Sequence, residues 1–195
     1  MNDLINMETC RKLREVIHVL TETPVITKKE FFANENFFRK NLGLAYNYDR
    51  LDELKKVDAS TTNENLQEKC QEVCEKTFNS FKKCFTMPDY DIFLAIATED
   101  GRICSIASFE KEPNKPWYID AVSTRVEFRK RGLATKVISA GIAKLKDTCV
   151  LHVDKNNEVA FNLYKKLGFE LAIDDDPKMQ NSFYLVKRYG KPLEK

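Results

Sequence analysis

The chain has 195 residues, enough for one domain with a real hydrophobic core and too long for a fold that depends on disulfide staples. Its 32 lysines and arginines nearly cancel 30 aspartates and glutamates, so a formal net charge of +2 advertises neither a nucleic-acid groove nor an anionic membrane surface. At 43% hydrophobic and 11% aromatic residues the composition excludes a disordered chain, and the six glycines are scarce enough that each is expected where only glycine fits.

The first half reads as helical. Thr27-Lys28-Lys29-Glu30 has the form of a capping box and precedes Phe31, Phe32, Phe37 and Phe38, which predicts a helix over residues 28–41 ended by Gly43. Leu66, Cys70, Val73, Cys74, Phe78, Phe81 and Phe85 recur at three- and four-residue spacing and predict an amphipathic helix over 63–84, stopped at Met87-Pro88. Two apolar runs, 91–98 and 103–109, flank Asp100-Gly101 and predict an antiparallel hairpin. Residues 117–124 form a third strand, 131–146 a helix and 148–153 a strand, which together make a βαβ unit. A helix over 157–167, with Val159, Ala160, Leu163 and Leu167 inward and Gly168 as its C-terminal cap, leads to strands at 170–173 and 182–187. The Asp174 to Asp176 loop between them is a solvated turn, with enough charge to attract a cationic amine.

The six cysteines, Cys10, Cys70, Cys74, Cys84, Cys104 and Cys149, are spread through apolar segments and read as reduced thiols. With two histidines, His18 and His152, and no Cys-x-x-Cys pair, no metal site is expected. The start carries no cationic segment followed by a long apolar run, and no stretch reaches the roughly 18 to 20 apolar residues of a membrane span. A soluble, cytoplasmic protein with no membrane or nucleic-acid partner is the expectation, as a single domain over 1–195.

Chemistry is concentrated where the third strand turns into a helix. Arg129, Lys130, Arg131 and Gly132 occupy that turn; a helix N-terminus exposes unpaired N–H groups, and a glycine lets the backbone approach a phosphate. The segment lacks the Gly-Lys-Ser/Thr of a Walker loop and the three glycines of a dinucleotide fingerprint. Its plainer reading is a solvated helix start.

Residues 129–134, Arg-Lys-Arg-Gly-Leu-Ala, resemble the Gln/Arg-x-x-Gly-x-Gly/Ala signature of the GNAT superfamily of N-acetyltransferases. Residues 157–169, from Asn157 through Ala160, Leu163 and Tyr164 to Gly168-Phe169, resemble its second hallmark, Asn-x-x-Ala-x-x-Leu-Tyr-x-x-x-Gly-Phe. The resemblance covers residues 90–187; residues 1–85, helical, carry no recognisable signature. It implies an α/β fold of the α+β kind, with a central mixed, mostly antiparallel sheet flanked by helices, whose parallel fourth and fifth strands splay apart.

In that fold acetyl-CoA lies in the splay. Val122, Ser123 and Thr124 would pair with the pantetheine arm, the turn of Arg129, Lys130, Arg131, Gly132, Leu133, Ala134 and Thr135 would hold the pyrophosphate, and Asn157 and Ala160 would flank the cofactor. An amine near pKa ~10.4 must lose a proton before it attacks. The resemblance assigns that task to Asp120, as base or as anchor of a water relay, with Glu110 as rival. Tyr164, a phenol near pKa ~10, is the acid for the departing thiolate. Each has a plainer reading, Asp120 as a hydrogen-bond anchor, Tyr164, Ala160 and Leu163 as packing.

The implied activity is acetyl-CoA-dependent transfer to a primary amine, small molecule or peptide, by direct attack in a ternary complex; Cys149 and His152 lack the partners of a covalent route. The alternatives are a non-catalytic acyl-CoA-binding module and, last, a nucleic-acid binder using Arg129 to Arg131. A monomer or homodimer fits equally.

Overall fold

The computed structural model describes residues 25–46, 63–173 and 179–190. Cys10, His18 and the acidic turn at Asp174 to Asp176 lie outside the described residues, as does most of the N-terminal part before residue 63.

A two-residue strand β1 (Val25–Ile26), too short to leave a periodic signal, precedes helix α1 (Lys28–Ala33). The capping box forms: the Glu30 carboxylate accepts the Thr27 N–H at 2.7 Å and the Thr27 hydroxyl at 2.8 Å. The helix expected to reach residue 41 breaks instead at Asn34, whose side-chain amide donates to the Glu30 carbonyl at 2.9 Å and diverts it from the helical ladder. Helix α2 (Glu35–Tyr46) then runs through Gly43, which does not end it. A Cβ at Gly43 would stand 2.3 Å from the Cys74 Cα of helix α3 (Asn63–Thr86), so this glycine permits a close helix crossing.

Phe31 is the hub of that helical layer, its ring centroid 5.0 Å from Phe38, 5.5 Å from Phe78 and 4.5 Å from Phe85. Together with Leu42 these rings bury Leu94, Ile96 and Ile106 of the sheet below.

Seven strands form one sheet in the order β1-β2-β3-β4-β5-β7-β6: β2 (Asp91–Glu99), β3 (Arg102–Lys111), β4 (Trp117–Thr124), β5 (Cys149–Asp154), β6 (Glu170–Ala172) and β7 (Ser182–Lys187). Asp100 at φ 50° and Gly101 at φ 74° close the β2–β3 hairpin in the left-handed turn its twist prefers. All pairings are antiparallel except β4 with β5, the mixed sheet the motifs imply.

Helices α4 (Leu133–Leu145) and α5 (Glu158–Lys166) cover the other face, over a second core of Phe93, Phe109, Ile119, Val137, Ile138 and Leu151. Gly141 allows α4 to lie on Phe109, whose ring a Cβ there would meet at 2.1 Å. Val159, expected inward, is 84% exposed; the stripe of α5 that packs is Ala160, Leu163, Tyr164 and Leu167, and Val159 falls outside that arc.

Candidate active site

Strands β4 and β5 pair only through Trp117 with Cys149 and Tyr118 with Val150. Beyond Tyr118 no strand pairs with that side of β4 among the described residues, so the sheet opens toward the C-terminal ends of both strands. On its other side β4 stays paired with β3, with a register shift between the pairs Ala107 to Val122 and Phe109 to Ile119. Asp120 and Ala121 therefore face the single residue Ser108, a bulge in which the Ser108 hydroxyl accepts the Ala121 N–H at 3.2 Å.

The sequence-predicted binding residues gather at the open end. Val122, Ser123 and Thr124 close β4; Ser105 donates its hydroxyl to the Ser123 carbonyl at 3.1 Å and lies 2.8 Å from the Thr124 hydroxyl. The chain leaves through a 3-10 turn (Val126–Phe128) and enters α4 by way of Lys130 at φ 61° and Gly132 at φ 73°. Space is open around Gly132: an added Cβ would find nothing within 4 Å, so conformation rather than crowding demands glycine there. No side chain caps the first turn of α4 and no acid stands in it, which leaves the amides of Leu133, Ala134 and Thr135 at a bare positive helix end.

The three cations of this turn divide their work. Arg129 folds back and donates from Nε to the Thr124 carbonyl at 3.0 Å. Arg131 pairs with Glu99 of β2 at 3.2 Å and lies over the Phe128 ring at 5.1 Å. Lys130 is exposed. Across the opening, β5 leads into α5, whose N-cap is Asn157: its Oδ1 accepts the Ala160 N–H at 3.1 Å, and its Nδ2 donors are not used by that cap. Ala160 packs at the edge of the second core.

Tyr164 belongs to the core under α4 and α5, with its ring edge-on to Phe169 at 5.6 Å. Burial, with Tyr118 nearby, pushes its phenol up to about 12. Asp120 stands on the opposite face, with the groups that pack beneath α3. There Tyr90 donates its O–H to Glu110 Oε2. Glu110 is partly buried, and burial raises its carboxyl above the usual range, against the Tyr90 hydrogen bond and with help from the charge of Asp120. On the same face the Tyr118 hydroxyl lies 3.3 Å from His152 Nδ1, and the His152 ring sits 5.0 Å from Tyr184.

Tyr164 and Asp120 thus occupy opposite faces of the sheet, on either side of the stretch where β4 and β5 part. Sequence reading did not single out Tyr90, Tyr118 or Tyr184, and weighed His152 only for a metal site and a covalent route. Alternation along β4 could have put Tyr118 with Asp120; the partnership with Tyr90 and Glu110 depends on strand register. Among the described residues no group of three or more His, Cys, Asp or Glu side chains has a metal-holding arrangement, and no helix is long and apolar enough to cross a membrane.

A mixed sheet opened between two parallel strands, with a glycine-bearing cationic turn at the mouth, defines an acyltransferase-type α/β protein. Residues 51–169 match the family model of the acetyltransferase (GNAT) family, and the chain belongs to that family. Among solved structures it resembles the PaiA N-acetyltransferase of Thermoplasma acidophilum in complex with coenzyme A, at 16% identity and a TM-score of 0.50 over 85% of this chain and 98% of that one. It also resembles the ribosomal-protein-S18-alanine N-acetyltransferase of Escherichia coli (17% identity, TM-score 0.47, 59% of this chain and 78% of that one). A third is a GNAT family acetyltransferase of Elizabethkingia anophelis with acetyl-CoA bound (14%, TM-score 0.44, 56% and 82%). At these identities the likeness is one of fold. No curated protein matches the sequence.

Proposed function

We propose that the protein is an acetyl-CoA-dependent N-acetyltransferase that acetylates a primary amine by direct attack in a ternary complex. The observation that carries this reading is the opening of β4 from β5 beyond Tyr118, with the uncapped start of α4 at its mouth, in a member of this family. The residues fit the group: the bare amides of α4, the open space at Gly132 and the surrounding cations suit a diphosphate, and the unpaired side of β4 suits an amide-bearing arm. Acetyl-CoA, when bound, supplies an acetyl group activated as a thioester.

In this reading Val122, Ser123 and Thr124 pair with the pantetheine arm, and the amides of Gly132 to Thr135 with Arg129, Lys130 and Arg131 hold the pyrophosphate. Asn157 and Ala160 flank the cofactor from the other strand. Asp120, on the bulge, takes the proton of the incoming ammonium, with Glu110 behind it. Burial, with the charge of Asp120 adding to it and the Tyr90 hydrogen bond opposing it, holds the Glu110 carboxyl above the usual carboxylate range. Tyr164 keeps its proton through the neutral range because burial lifts its phenol to about 12, and it protonates the departing thiolate. A covalent route has no support from Cys149, whose buried thiol is raised to about 12, or from Cys84 and Cys104, also raised by burial.

The test is calorimetric titration with acetyl-CoA followed by a screen of primary amines with CoA release as readout. Saturable binding and turnover of at least one amine are expected. No binding at millimolar cofactor overturns the proposal; binding without turnover of any amine makes the chain an acyl-CoA-binding module.

A further inference from the structure

We propose that Tyr90 is a positioning residue for the transfer: its phenol holds the Glu110 carboxylate on the Asp120 face of the sheet, where Glu110 backs Asp120 in taking the proton. This rests on the reading of that pair as the base. Tyr90 stands at the junction of α3 and β2, where Asp89 at φ 56° turns the chain into the sheet. Glu110 lies near the end of β3, the middle of three neighbouring strands, opposite Ile92 on one side and Tyr118 on the other. Tyr90, two residues before Ile92, reaches across to donate to Glu110 Oε2.

The titratable groups on the Glu110 side are Tyr90, Cys84 of α3, and Tyr118 and Asp120 of β4, and the charge of Lys83 acts on Cys84. Among the described residues no lysine or arginine bridges to Glu110. A carboxylate that is partly buried beside another carboxylate drifts toward its neutral form, and a neutral carboxyl cannot accept a proton. The Tyr90 hydrogen bond opposes that drift by stabilising the ionised form. The donor persists at every working pH, because burial and the neighbouring carboxylate raise the phenol well above its ordinary value. In the step itself an N–H bond of the acceptor ammonium breaks and an O–H bond forms on the carboxylate pair, leaving the amine neutral; Tyr90 keeps its own proton throughout.

Tyr90 also lines an open cavity of about 570 Å³ with Phe85, Met87, Pro88 and Ile92, so Tyr90→Phe removes the hydroxyl without opening a packed core. The experiment follows the Glu110 side-chain carboxyl by carbon-13 NMR titration of the free protein, assigned with Glu110→Gln. Tyr90→Phe is expected to raise the Glu110 midpoint by about one pH unit, the size of one lost hydrogen bond to a charged group. The acidic limb of kcat/KM for the amine found in the screen should rise by the same amount, with the melting temperature little changed. An unmoved Glu110 midpoint overturns the proposal. If Glu110→Gln erases the acidic limb while Tyr90→Phe leaves it in place, the role of Tyr90 falls alone. If neither variant touches the limb, the base reading falls and takes the positioning role with it.

Discussion

Helices α4 and α5 cover one face of the sheet, and the candidate cofactor-side residues 129–135 and 157–164 stand where the chain enters them, in two nearly unbroken stretches. The opposite face assembles Tyr90, Glu110, Tyr118, Asp120 and His152 from a helix-to-strand junction and three strands. In the proposed mechanism the first face works through its backbone: a left-handed glycine, bare helix amides and the open edge of β4 offer main-chain groups, which any suitable local sequence can present. On the second face the proposed chemistry falls to side chains, whose proximity depends on register and on the helical layer packed over them. The first face is local and the second is collective. Substitutions on the two should therefore fail in different ways.

The largest effect is expected where the second face is sealed. Phe31, fully buried against the rings of Phe38, Phe78 and Phe85, should cost about 3–5 kcal/mol when changed to alanine, measured by urea unfolding. A loss below about 1 kcal/mol would mean that the helical layer does not hold that face together. Next comes Asp120→Asn, for which kcat/KM should fall by about 100-fold or more while calorimetry finds acetyl-CoA binding unaltered. Lys130→Ala should do the reverse, weakening cofactor binding and leaving kcat near its original value; if both variants alter the same parameter, the division of labour between the faces is wrong.

A smaller effect belongs to the packing of the first face. Gly141→Ala forces a Cβ into the Phe109 ring and should cost about 1–3 kcal/mol in chemical denaturation, since α4 must shift outward. The smallest concerns Glu110, and its sign is informative. Its folded carboxyl titrates above the unfolded value, so the stability it contributes is present at low pH and lost as pH rises through the folded midpoint. Glu110→Gln should consequently gain in melting temperature relative to the parent protein between pH 4 and pH 7, even as turnover drops. A constant difference across that range would remove the partly buried, ionised glutamate from the description.

Much of the local structure was legible in the sequence alone. The capping box at Thr27, the Asp100-Gly101 hairpin, the cationic turn and the Asn157 to Phe169 stretch each encode their geometry within a few residues. Two glycines show where local reading stops. Gly43 looks like a helix terminator and is a crossing point with Cys74; Gly132 looks like a gap for phosphate and is required by a positive φ whatever binds there. A glycine's missing side chain is a fact of sequence, but what occupies the space beside it comes from another segment.

Sheet order and the bulge at Asp120 were beyond the local patterns, and the parting of β4 from β5, here after two residue pairs, was reached only through the resemblance, because each is set by competition between neighbouring strands. Asp120 could be singled out from the linear chain by resemblance, while Tyr90 had no motif to mark it. Its contact with Glu110 arises from a turn at Asp89 and the registers of two strand pairs. Periodicity and capping chemistry act over three or four residues, and they specified the elements and the cofactor-side motifs. Long-range packing and register joined residues that lie tens of positions apart, and so the tertiary structure alone decided which carboxylate is buried, which phenol holds it and which face of the sheet they share.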